Sequence, residues 1–101
     1  MTIIDKSFHG KKIVAQKGDI IHVQLAENPT TGYLWKIKSH DDKHLHFIKK
    51  ENEISGSEIG AGGMNTFYLE VISEGTSDLH LTHGNSWEND AIDTFNVSIE
   101  S

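Results

Sequence analysis

The residues that could do chemistry fall into four groups. Seven histidines invite a metal, and His40, His44 and His46 stand close together beside Asp41 and Asp42. On a strand, His44 and His46 would share one face, as residues two apart do, and could offer two nitrogens to zinc. The plainer reading is a polar strand face, and no metal or other cofactor is expected. His83, Ser86 and Asp90 supply the types of a hydrolytic triad. They crowd one short stretch, whereas a triad needs its base oriented by a third group, usually from a distant segment. No Gly-x-Ser-x-Gly elbow surrounds Ser86, so the chain is read as a non-enzyme. Gly60-Ala61-Gly62-Gly63 could cradle a phosphate. Its spacing fits neither a dinucleotide fingerprint nor a P-loop, and a strand follows it rather than a helix N-terminus. The fourth group is empty: with no cysteine, a disulfide scaffold, an iron–sulfur site and a thiol nucleophile are excluded.

Charge narrows the partners. The 101 residues carry 15 acidic and 9 basic side chains, a net charge of −6. Every basic residue is Lys. Nucleic acid is therefore not expected as a partner, because Arg is the preferred fork for phosphates and base edges. No run approaches the roughly 18 apolar residues of a membrane span, and no membrane partner is expected. The start, Met1-Thr2-Ile3-Ile4-Asp5-Lys6, lacks the apolar stretch of roughly 7–15 residues of a signal peptide. A cytoplasmic or vesicular location is expected unless a leader was trimmed. The length fits one domain over residues 1–101, expected to be a monomer. Its apolar content exceeds the roughly 20% below which chains stay disordered.

The elements that must position these residues are strands. Apolar residues recur with period 2. Ile13 and Ala15 begin the pattern. Ile21, Val23 and Leu25 follow, then Trp35 and Ile37, then Leu45 and Phe47. Phe67, Leu69 and Val71 come next, then Leu79 and Leu81, and last Phe95, Val97 and Ile99. Turn signals such as Lys17-Gly18-Asp19 and Glu74-Gly75-Thr76 separate them. About seven alternating strands in this length imply an all-β fold, an immunoglobulin-like antiparallel β-sandwich. The Cys…Trp…Cys signature of antibody domains is absent. Trp35 is expected in the core and His22 on the solvent face.

In such a meander the turns after the second, fourth and sixth strands lie at one end. They fall at residues 27–32, 54–63 and 83–91, and function in a sandwich commonly sits on loops held by a rigid scaffold. In Asn28-Pro29-Thr30-Thr31-Gly32, Pro29 fixes its own φ and biases Asn28 to extended geometry, while Gly32 permits re-entry into a strand. Thr30 and Thr31 would then top a narrow, uncharged tip. Gly60-Ala61-Gly62-Gly63 would let backbone lie close against another surface. Trp87, amid Asn85, Ser86 and other polar residues, suits a partner-facing anchor; packing back over the sandwich edge is its structural alternative.

Asn28-Pro29-Thr30-Thr31-Gly32-Tyr33-x-Trp35, then Gly60-x-Gly62-Gly63, then a Trp87-bearing loop, in this order and spacing, resembles the chagasin family of inhibitors of papain-like cysteine peptidases. The likeness spans nearly the whole chain. It implies three loops forming a wedge, with Thr30 and Thr31 entering the active-site cleft of a papain- or cathepsin L-type peptidase. Gly60–Gly63 and Asn85-Ser86-Trp87 would flank them, and inhibition would be reversible and non-covalent. The third motif departs from the family's Arg-Pro-Trp, losing an Arg contact and a Pro stiffener, which implies altered affinity or target choice. An immunoglobulin-like adhesion or accessory module, using the same loops on a non-peptidase protein, is the alternative.

Overall fold

The computed structural model describes residues 2–27, 33–54 (backbone only at 53 and 54), 63–84 and 91–101. Eight strands run β1 Thr2–Asp5, β2 Lys12–Val14, β3 Ile20–Glu27, β4 Leu34–Ser39, β5 Leu45–Ile54, β6 Gly63–Val71, β7 Thr76–Gly84 and β8 Asp93–Glu100. A 3-10 turn, Lys6–Phe8, follows β1. Two four-stranded sheets form, ordered β1-β3-β6-β5 and β2-β8-β7-β4. The period-2 residues face each other between the sheets. Ile21, Val23, Leu25, Leu69, Leu79, Leu81 and Phe95 are among those with almost no exposure, which removes their apolar surface from water.

The all-β sandwich is as the alternation predicts, with differences in detail. The extra strand is β1, where Ile3 and Ile4 are adjacent rather than alternating and only Ile4 is buried. Both N-terminal strands pair in parallel, β1 with β3 and β2 with β8, while every other pairing is antiparallel. The chain passes from one sheet to the other through the 3-10 turn and Gly10, whose φ of 79° suits glycine.

Strand β5 departs further. A bulge between Phe47 and Lys49 shifts its register. Phe47, before the bulge, keeps the inward parity opposite Leu69 but lies on the edge strand, lining a groove between β4 and β5, so it is part-exposed rather than core. Beyond the bulge Lys50 pairs with Phe67 and Asn52 with Asn65, so even-numbered residues now face the interior, as an inserted residue requires. His44 is also not where strand alternation puts it. It precedes β5 and is buried, its two ring nitrogens bridging the Ser77 hydroxyl (2.6 Å) and the Ser101 hydroxyl (2.8 Å). His44 and His46 therefore share no face. His22 lies on the outer face, edge-on to Tyr68 at 4.5 Å.

Candidate functional site

The three unusual segments leave from one end of the sandwich. In the first sheet Glu27, Gly63 and Ile54 lie in one row. In the second, Leu34 pairs with Gly84 and His83 with Asp93. The segment 28–32 thus links the two sheets, 55–62 joins two neighbours in the first, and 85–90 joins two neighbours in the second. Gly63, the last residue of the predicted glycine motif, opens β6 between Glu27 and Ile54. Asn28, Pro29, Thr30, Thr31, Gly32, Gly60, Ala61, Gly62, Asn85, Ser86 and Trp87 lie outside the described residues.

What the structure does describe is the ground on which these segments stand. Glu27 falls in the inward parity of β3, after Val23 and Leu25, and is buried. Its carboxylate accepts from the Trp35 backbone N–H at 2.6 Å and from the Asn52 amide at 2.7 Å. Lys50 approaches it at 3.6 Å and donates to the Trp35 carbonyl at 2.9 Å. The Trp35 indole N–H donates to the Ala26 carbonyl at 3.0 Å. Residues 26 and 27 therefore grip residue 35 twice, closing the first segment at its base. Lys50 and Asn52 bring in the strand that leads to the second segment.

The third segment is tied to the same group. The His83 ring stacks on Trp35, centroids 4.8 Å apart and 14° from parallel, and its Nε2–H donates to the Tyr33 carbonyl at 3.1 Å. Lys6 sits 5.6 Å over the Trp35 ring and pairs with Asp93 at 2.9 Å. Desolvation pushes the Asp93 carboxyl up, but hydrogen bonds from Lys6 and from the Thr94 N–H, with Lys6 charge, outweigh it and hold the group below its ordinary value. A buried polar group is costly unless partnered, so the buried Glu27 carboxylate and the Trp35 backbone N–H fix each other, and the more exposed Asn52 and Lys50 complete the carboxylate's partners. Beside them lies Asn65, fully buried between Leu25 and Asn52, its amide without a partner among the described residues.

Sequence reasoning missed this clasp. Parity could have found part of it, since Glu27, Asn65 and His83 all continue an inward-facing series. Lys50 and Asn52 gave no such signal, because the bulge that turns them inward is not legible. Among the described residues, no three His, Asp or Glu side chains come together to hold a metal. A groove of about 590 Å³ runs between edge strands β4 and β5, floored by Trp35, Ile37 and Phe67 with Lys36 and Lys38 at its side; it contains no paired acid and base.

The described residues thus form a sandwich whose three unusual segments depart from one clasped end. Comparison with known proteins gives the class. Residues 14–99 match the family described as chagasin family peptidase inhibitor I42. Chagasin of Trypanosoma cruzi is 27% identical over 89 residues, which are 83% of this chain and 81% of that protein. The crystal structure of a cysteine protease inhibitor from Entamoeba histolytica superposes with a TM-score of 0.89 at 19% identity, covering 98% of this chain and 93% of that one. PbICP-C, solved in complex with falcipain-2, does so with a TM-score of 0.71 at 9% identity, covering 99% and 97%. These two structural likenesses are of fold. The chain belongs to the chagasin family of peptidase inhibitors. It is an inhibitor and not an enzyme.

Proposed function

We propose that the clasped end of the sandwich inhibits papain-like cysteine peptidases by filling their active-site cleft, reversibly and without a covalent bond. Thr30, Thr31 and Gly32 form the central probe, with Asn28 and Pro29 shaping it. Gly60, Ala61, Gly62 and Gly63 form one flank; Asn85, Ser86 and Trp87 form the other. The thiol belongs to the partner, as this chain has none. A cleft probe works best when it is narrow, uncharged and ordered before contact, because order established in advance lowers the entropy cost of binding. Glycine flanks allow close backbone approach, and Trp87 supplies anchor area. An end face of this kind can form a standard inhibitor contact of about 1,600 Å² in total.

The observation that carries this reading is the cross-tied base. Glu27, Trp35, Lys50, Asn52 and His83 lock the departure points of all three segments into one unit. Titration of papain and of a cathepsin L-like enzyme with the purified protein tests it. Activity is expected to fall to near zero at a one-to-one ratio, with substrate relieving the inhibition competitively. Full activity at large excess, with an intact β circular-dichroism spectrum, would favour the accessory-module alternative.

A further inference from the structure

The outer faces of both sheets are polar along most of their length. In the second sheet the outward rows run Lys36–Thr82–Thr94, then His80–Asn96, then Asp78–Ser98. In the first they run Asp5–Gln24–Thr66–Glu51, then Ile3–His22–Tyr68–Lys49, where Ile3 on the edge strand is a single exposed apolar residue in an otherwise polar row. The row nearest the three segments breaks this pattern. Leu34 is 43% exposed, Met64 39% and Ile92 57%. Each is the second residue after one of the segments 28–32, 55–62 and 85–90. Leu34 pairs with Gly84, and the Ile92 N–H donates to the His83 carbonyl at 2.7 Å, so Leu34 and Ile92 flank a glycine on one shoulder. Met64 lies on the other shoulder beside Ala26.

We propose that Leu34, Met64 and Ile92 form an apolar collar that rests on the two walls of the peptidase cleft while the three segments enter it. This rests on the function proposed above, and the collar is continuous with that binding face. Its placement selects the occupant. A flat partner would meet the end of the sandwich and not its two sides. A two-walled cleft meets both shoulders of an inserted wedge, and the shoulders lie on opposite outer faces. Apolar surface left in water at all three bases gains free energy only when it is covered. Apolar ground on each wall is therefore the complementary feature of the target, and the collar adds a means of choosing among related peptidases.

Neutral substitutions separate apolar contact from charge. Leu34→Asn, Met64→Gln and Ile92→Asn should each weaken inhibition of papain about tenfold, mainly through faster dissociation, with unchanged melting temperature. Val14→Asn is the control, because Val14 is 71% exposed but pairs with Glu100 at the far end of β8; it should inhibit as the parent does. If any collar variant melts early, Leu34→Ser or Ile92→Thr is measured below its own transition. Collar variants that dissociate at the parent rate, while Thr31→Lys has lost inhibition, would overturn the collar and leave the loop reading intact. A parent protein that inhibits nothing would overturn the loop reading itself.

Discussion

The middle of this sandwich and its clasped end are held by different physics. In the middle, Val23, Leu69, Leu79, Leu81 and Phe95 meet as side chains without polar atoms. Such packing is strong and non-directional, and it tolerates small adjustments. At the clasped end the inward positions are held by Glu27, Lys50, Asn52, Trp35 and His83, which meet through directed hydrogen bonds and one ring stack. Directed contacts forfeit more when misaligned, since a buried donor or acceptor left alone bears its full desolvation cost. The apolar middle supplies stability. The polar end fixes where three chain segments depart, which is what a rigid binding edge needs.

Five substitutions can break or sharpen that contrast. Glu27→Ala should have the largest effect, about 3–5 kcal/mol, because it empties a buried site and strands the buried Trp35 N–H, while the more exposed Asn52 amide and Lys50 ammonium lose their carboxylate to water. The milder Glu27→Gln keeps an acceptor for Trp35 and should cost about 1–3 kcal/mol. Denaturant melts measure the stability of both, and inhibition of papain is measured below the transition. Leu81→Ala should cost about 2–5 kcal/mol in stability, yet its folded fraction should inhibit as the parent does. If Leu81→Ala weakens inhibition as much as Glu27→Gln, the division between the two regions fails. Trp87→Ala should cost about 2 kcal/mol in binding and leave the melting curve in place. The smallest effect belongs to Asp93. Its carboxyl is held below the ordinary value, so it binds protons less readily folded than unfolded. Its contribution is present above the ordinary carboxylate value and lost as pH falls through the lowered one. The Lys6–Asp93 pair is about half exposed, so screening keeps this small. Asp93→Asn should lower stability slightly at neutral pH and flatten the acid limb, because the contribution removed is the one present above the ordinary carboxylate value.

Much of the fold was legible because period-2 alternation and a buried face express the same constraint. The series through Leu25, Leu69, Leu81 and Val97 led directly to the two sheets. What was not legible has physical reasons. Ile3 and Ile4 are too short and too evenly apolar to show a period, so β1 went unseen. The bulge in β5 leaves no mark in composition, yet it brings Lys50 and Asn52 into the rows of Phe67 and Asn65. His44 and Glu27 look like surface residues because charge and polarity usually mean exposure; only the partners brought by the fold reveal why they are buried. For the candidate site, the Asn28–Gly32 and Gly60–Gly63 motifs and Trp87 stand out in the sequence by turn chemistry, composition and resemblance and, Gly63 apart, lie outside the described residues, whereas the clasp required three dimensions.

The most direct measurement is inhibition of papain by the parent protein and by Thr31→Lys under identical conditions. The parent should inhibit stoichiometrically. Thr31→Lys should keep the β spectrum and melting temperature but lose inhibition, because the new ammonium would be forced from water into the cleft. A Thr31→Lys protein that inhibits as tightly as the parent would contradict the placement of this loop at the centre of the interface.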